Sequence, residues 1–291
     1  MKAIFMLCLI VLFAKLSKAQ VEMDKFISQA ETGQVIAISQ ANYDGSTFFF
    51  EAITGSRFGH IGVVVVEQAK KHGMADKVFV YHGTPPYAQK WSLKHFLESS
   101  MDDKGQVKAN LLEMRKSLSK EQKNQLTKNL NQMIEQKIPY DFFHDPVDDR
   151  MMDCSEFVHK AFLKIGIQLG KTETLADLNH RSFQGLLLQN LSELLGEKIE
   201  MNHKLITPFS IVLDSKLKKK VSSLGMKVLS DQQILDQWYK SGAMASLIRN
   251  IIPGKYDQSV SEMEKKMYYD SFRELAGTEA YKLGACGLSA K

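Results

Sequence analysis

The sequence predicts an α+β fold: an antiparallel sheet packed on a helix that opens at Cys154, followed by a helical C-terminal extension. Three observations carry this. Ile61 to Val66 is a β-branched run, apolar on both faces, and Val78 to His82 follows it after a polar turn, which suits a central strand and an antiparallel neighbour. Ser119 with Gln122 three positions on writes a capping box, and Leu126, Leu130 and Met133 then share one helical face. Phe157, Val158, Ala161, Phe162 and Ile165 form an apolar stripe on a helix that begins near Cys154 and stops at Gly166.

Taken in order, the first residues read as an address. Lys2 precedes the apolar run Ala3–Ala14, and the small residues Ser17 and Ala19 follow, so residues 1–19 are expected to be a secretory signal peptide cleaved before Gln20. The run is too short to span a bilayer comfortably. Val35-Ile36-Ala37-Ile38 is a buried strand, and Asn42 to Ser46 is a loop with a turn at Asp44-Gly45. Gly83-Thr84-Pro85-Pro86 ends the second strand of the pair, since prolines cannot donate to a ladder. Lys137-Ile138-Pro139 stops the capped helix. Beyond about Ser215 the chain turns Lys-, Ser- and Met-rich with helical periodicity, the Lys216–Lys220 run reads as a solvated helix face, and residues 225–291 form the extension. The main domain is thus 20–224.

Composition narrows the function. The 291 residues are 44% hydrophobic and 24% charged, as in a globular protein rather than a disordered or coiled-coil one. The net charge of +5 includes three lysines in residues 1–19; without them 35 basic side chains face 33 acidic ones, a charge of +2 that advertises no nucleic-acid surface. Of three cysteines, Cys8 lies in the signal, and Cys154 and Cys286 are expected to stay unpaired.

The residues that suit chemistry are His60 before the central strand, His82 at the end of the next, and Cys154 in the first turn of a helix. The positive end of a helix stabilises thiolate over thiol, and its first amides suit an oxyanion. An imidazole takes the thiol proton and a second polar group orients that imidazole. The plainer readings are a Cys154 buried as a core residue and histidines that merely end strands. His144, Asp145, Asp148 and Asp149 lack a metal-ligand spacing and read as a solvated acidic loop, so no metal or other cofactor is called for. His159 and Lys160 are expected to face outward.

Asp153-Cys154-Ser155-Glu156-Phe157-Val158, preceded by Tyr140-Asp141-Phe142-Phe143, resembles the cysteine segment of papain-like amidases of the NlpC type, and Gly59-His60-Ile61-Gly62-Val63-Val64 resembles their histidine segment. The histidine precedes the cysteine here, the order of the circularly permuted branch typified by the YiiX/YaeF family and, more distantly, lecithin:retinol acyltransferase. Gly33-Gln34-Val35-Ile36 and Ile206-Thr207-Pro208 extend the resemblance over about residues 30–215. It implies a circularly permuted papain-like fold, with Cys154 as nucleophile and His60 as general base. Related chains often carry an acidic residue where this one has His82, so His82, Tyr81 or Glu67 orients His60. Tyr140 resembles a family tyrosine that supports the oxyanion or the substrate; a packed aromatic is the equal alternative. Glu156 matches a Cys-Ser-Glu pattern and serves there or as a structural acid. The implied function is an exported, periplasmic or secreted, hydrolase acting on an amide bond of a peptide or cell-wall peptide. The alternatives are an acyltransferase or lipid hydrolase using the same pair on an acyl substrate, or a non-catalytic ligand-binding module.

Overall fold

A computed structural model describes residues 20–39, 45–67, 77–102, 105–141, 144, 146, 150–178, 202–226, 228–240, 242–245 and 261–277. The expected signal peptide, most of the Asn42–Ser46 loop, and Cys286 lie outside these residues.

A helix over residues 20–28 (α1) leads to strand β1, Val35–Ile38, at the position that its apolar run predicts. Helix α2, Gly45–Thr54, takes the last two residues of the expected loop as its start. Strands β2, His60–Glu67, and β3, Lys77–His82, pair antiparallel with Val64 opposite Val80. Strand β4, Gln89–Ser92, runs straight into helix α3, Leu93–Glu98, which the Ser92 hydroxyl caps. Strand β5, Ala109–Met114, precedes helix α4, Lys120–Glu135, whose Ser119–Gln122 capping box is present in both directions. Helix α5, Cys154–Leu163, follows a long connection. The short antiparallel pair of β6, Glu173–Thr174, and β7, Lys204–Leu205, adjoins helix α6, Leu175–Leu178. Helix α7, Pro208–Val212, strand β8, Leu217–Ser222, and helices α8, Asp231–Lys240, and α9, Glu262–Gly277, complete the described chain.

The main sheet has six strands in the order β4-β3-β2-β1-β5-β8, each pair antiparallel. Both faces are covered, which is why β1 and β2 read as continuous apolar runs. Strand alternation sends Val35, Ala37, Ile61, Val63, Val65 and Tyr81 to one face, under α4 and α5. It sends Ile36, Ile38, Val64 and Val80 to the other, under α1 and α3.

Strand β8 corrects the expectation of a solvated helix over Lys216–Lys220. Register skips at Lys220, with Leu111 opposite Val221 and Leu112 opposite Lys219. This bulge turns the strand over: Leu217 packs on the α5 face and Val221 on the α3 face, although they stand an even four positions apart. Three lysines between two anchors disguise a bulged edge strand as a polar helical face. Their charges also protect that edge from pairing with another chain.

The C-terminal helices are docked on the body. Ile234, Leu235 and Trp238 of α8 are fully buried, and Trp238 Nε1 donates to Glu51 Oε2 on α2 at 2.6 Å. Leu229 N donates to Gly55 O at 2.7 Å. Helix α9 leans on α8 through Tyr239 and Tyr269, whose ring centroids are 4.9 Å apart.

Candidate active site

Strands β2 and β3 place His60 and His82 side by side, on the α3 face. Their rings meet at a right angle, and His60 Nε2 lies 2.7 Å from His82 Nδ1. Both are buried, under Phe96 of α3 and, for His82, Trp91 of β4. Gly62 makes this possible: a Cβ there would lie 3.2 Å from His82 Cβ and 2.5 Å from a Val80 methyl. The other two candidates for holding His60 are engaged elsewhere. Tyr81 points to the opposite face and donates to Asn131 Oδ1, and Glu67 pairs with Lys90.

Burial keeps the imidazoles neutral. His60 is lowered to about 3 by loss of solvent, and His82 falls well below its ordinary value through burial, with the charges of His60 and His95 adding to it. His82 Nε2 is buried with no hydrogen-bond partner among the described residues and sits against the Trp91 and Phe96 rings.

Cys154 is a buried thiol, in no disulfide, at the first position of α5, with Sγ 3.9 Å from Ser155 Oγ. The body of α5 packs on the face opposite the imidazoles, and its first turn reaches the end of β3. There Gly83, directly after His82, touches the Asp153–Cys154 peptide: a Cβ would lie 2.5 Å from Asp153 O and 3.1 Å from Cys154 N. Only glycine allows that approach. The structure therefore joins His60 to His82 by a hydrogen bond and sets the Cys154 backbone against the residue that follows His82.

The helix start is more occupied than the sequence suggests. Asp153 caps α5, its Oδ1 accepting from Ser155 N at 2.6 Å and Glu156 N at 2.8 Å, while Asp153 N donates to Glu156 Oε2 at 3.1 Å. Those two amides are consumed by the cap and cannot also serve an oxyanion.

His144 is the functional candidate that sequence reasoning missed. Far from being part of a solvated acidic loop, it is buried, and its Nδ1 lies 2.6 Å from Asp153 Oδ2. A positive φ of 57° turns it inward, where Phe50 packs on its edge at 4.8 Å. No residue-type pattern signals such a contact across nine positions of sequence. Asp145, Asp148 and Asp149 lie outside the described residues. Among those described, no group of three or more His, Cys, Asp or Glu is placed to hold a metal. Tyr140 is nearly buried; its N donates to Pro86 O at 3.1 Å and its ring stands edge-on to His144 at 6.5 Å. His159 is tied by Nδ1 to Leu169 O at 2.6 Å, and Lys160 is buried, not outward, because α5 is enclosed along most of its circumference.

Glu156 is a buried acid pushed up to about 10, by desolvation first and then by the charges of Asp153 and Asp141. Its Oε1 is buried with no partner among the described residues. Folded protein thus keeps a proton that the unfolded chain releases above about 4.5, so the contribution of Glu156 to stability is full below that pH and is lost as pH rises toward 10. His60 and His82 act oppositely: unfolded chain binds their protons below 6.5, so stability falls as pH drops below that value. Glu156→Gln keeps the acceptor for Asp153 N without the titration. Urea midpoints across pH 5–9 are expected to decline on the alkaline side in the parent and to stay flatter in Glu156→Gln; parallel curves would contradict this account.

The fold matches known proteins. Residues 29–221 match the family of permuted papain-like amidase enzymes, YaeF/YiiX, C92, and the chain belongs to that family. It is accordingly a papain-like cysteine hydrolase of the amidase and peptidase class. The crystal structure of metalloprotein yiiX from Escherichia coli O157:H7 is similar in fold, with a TM-score of 0.55 and 21% identity over 68% of this chain and 99% of that one. No curated protein matches.

Proposed function

We propose that the protein is an exported cysteine amidase that cleaves a peptide or cell-wall peptide through Cys154, His60 and His82. The observation that carries this reading is the 2.7 Å bond between the two buried imidazoles, at the end of the sheet that Cys154 adjoins. With His60 Nε2 engaged by His82, Nδ1 is the nitrogen of His60 left to take the thiol proton. That assignment puts the His60 proton on Nε2, donated to His82 Nδ1, and the His82 proton on Nε2. An N–H edge against Trp91 and Phe96 finds a weak π acceptor there.

Cys154 Sγ, losing its proton to His60, attacks the carbonyl carbon. The tetrahedral oxyanion develops near the positive end of α5, with Tyr140 as a supporting side chain. Collapse breaks the C–N bond, the amine leaves with the proton from His60, and a thioester remains. Water, deprotonated by His60, then releases the acid and restores the thiol. Export rests on the pattern of residues 1–19.

The test is digestion of cell-wall peptides and a mixed peptide library by the protein and by Cys154→Ala. New amino termini are expected with the parent and none with the variant. Cleavage of acyl esters in micelles with peptides untouched would transfer the reading to a lipid acyl hydrolase; cleavage that survives Cys154→Ala would overturn it.

A further inference from the structure

The segment between α2 and β2, Gly55 to Gly59, is fixed at nearly every residue. Gly55 N donates to Glu51 O at 2.9 Å, and Gly55 O accepts from Leu229 N at 2.7 Å. Ser56 N and Phe58 N are held by the Thr54 and Ser56 hydroxyls at 3.1 and 3.4 Å, and Gly59 N donates to Ile38 O at 3.1 Å. The Phe58 ring stacks with Phe209, centroids 6.3 Å apart. In this pinned turn stands Arg57, half-buried, three residues before His60.

Arg57 has no partner among the described residues. Among the described residues nothing accepts a hydrogen bond from its guanidinium and no carboxylate pairs with it, and its Nε is fully buried. A guanidinium is permanently cationic and carries five donors in a planar fork. Withdrawing such a group from water without an acceptor is costly. Folded chains rarely leave a buried donor orphaned unless something outside the chain completes it. A mobile surface arginine escapes the argument by hydrating its whole head; Arg57 cannot, because its Nε is covered and its backbone is fixed. Three residues of chain put its Cα within about 10 Å of the His60 Cα, a span that a short peptide substrate bridges.

We infer that Arg57 is the seat for an anionic group of the substrate, a carboxylate that the planar fork receives with two N–H donors. This deepens the amidase reading above and rests on it. The substrate class narrows to amides that carry a carboxylate near the bond to be cut, such as a peptide with an acidic residue or a free carboxyl terminus beside it.

Small thiol reagents test this without knowledge of the substrate. Iodoacetate and N-iodoacetylglycine carry a carboxylate; iodoacetamide and N-iodoacetylglycinamide are their neutral counterparts. Modification rates of the Cys154 peptide, followed by mass spectrometry and divided by those of free cysteine, give a selectivity ratio for anionic over neutral reagent. The ratio is expected to be raised about tenfold in the parent for at least one pair, the size of a charge-assisted hydrogen bond. It should fall to that of free cysteine in Arg57→Gln and be largely kept in Arg57→Lys. A parent ratio equal to that of free cysteine, or one that survives Arg57→Gln, overturns the inference. The parent ratio decides alone if a variant does not fold. The neutral reagents, compared between the parent and His60→Ala, report separately on the Cys154–His60 pair, so the two readings fail in different measurements.

Discussion

Loss of the His60 imidazole is expected to lower acyl transfer at Cys154 by about 10²–10⁴-fold, the range that a positioned base contributes. The same substitution leaves the fold in place, because β2 is anchored by Ile61, Val63 and Val64 on both faces of the sheet. His82→Ala should cost less, about 10–100-fold, since it frees the ring of His60 to rotate rather than removing it. Because burial holds His60 near 3, the base stays unprotonated well below the ordinary 6.5. The acid limb of kcat/KM is therefore expected below pH 5, where an exposed histidine would already be silent. Initial rates on the best peptide from the digestion, taken across pH 4–8, check all three statements. A full-rate His60→Ala enzyme would contradict the assignment of the base.

Trp238→Ala is expected to destabilise the protein by about 3–5 kcal/mol, as for other large buried aromatics. The indole is enclosed and is the buried centre of the α8 stripe, so its removal leaves a cavity between α8 and α2. It also removes the donor to Glu51 Oε2, a buried carboxyl oxygen. Trp238→Phe separates the two effects, keeping most of the volume and losing only the donor. Urea unfolding of both variants is the check. A Trp238→Ala midpoint equal to that of the parent would mean that α8 contributes nothing to the folded body. Since α2 leads through the Arg57 turn to His60, undocking α8 is also expected to disturb the site.

Much of this was legible in the sequence, for reasons that can be named. Strands β1, β2 and β3 announce themselves because both faces of the sheet are covered and apolar, largely β-branched residues fill their centres. The Ser119 box and the α5 stripe are local signals, complete within one or two turns. The matching order of histidine and cysteine segments was enough to point to the permuted papain-like fold, which the family match over residues 29–221 bears out. What was not legible depends on distant contacts. The bulge at Lys220 breaks the alternation that would have marked β8. His144 is buried by Phe50 and bonded to Asp153, neither of them near it in sequence. The Asp153 cap is a local signal too, an Asp at N-cap with Glu156 at N3, and it takes from the oxyanion amides that a helix start otherwise offers. The orphaned Nε of Arg57 is a property of an environment, and no sequence shows it.

The most direct test of the Cys154–His60 pair is the rate of iodoacetamide modification of Cys154 as a function of pH, in the parent and in His60→Ala, read on the Cys154 peptide. An imidazole that stays neutral at rest and takes the thiol proton only as the new S–C bond forms predicts reactivity persisting below pH 7, where an ordinary thiol with a pKa of about 8.5 has lost it. It also predicts that His60→Ala returns the curve to the ordinary position. A midpoint near 8.5 in both proteins would contradict the pair and leave Cys154 as a buried residue of the α5 core.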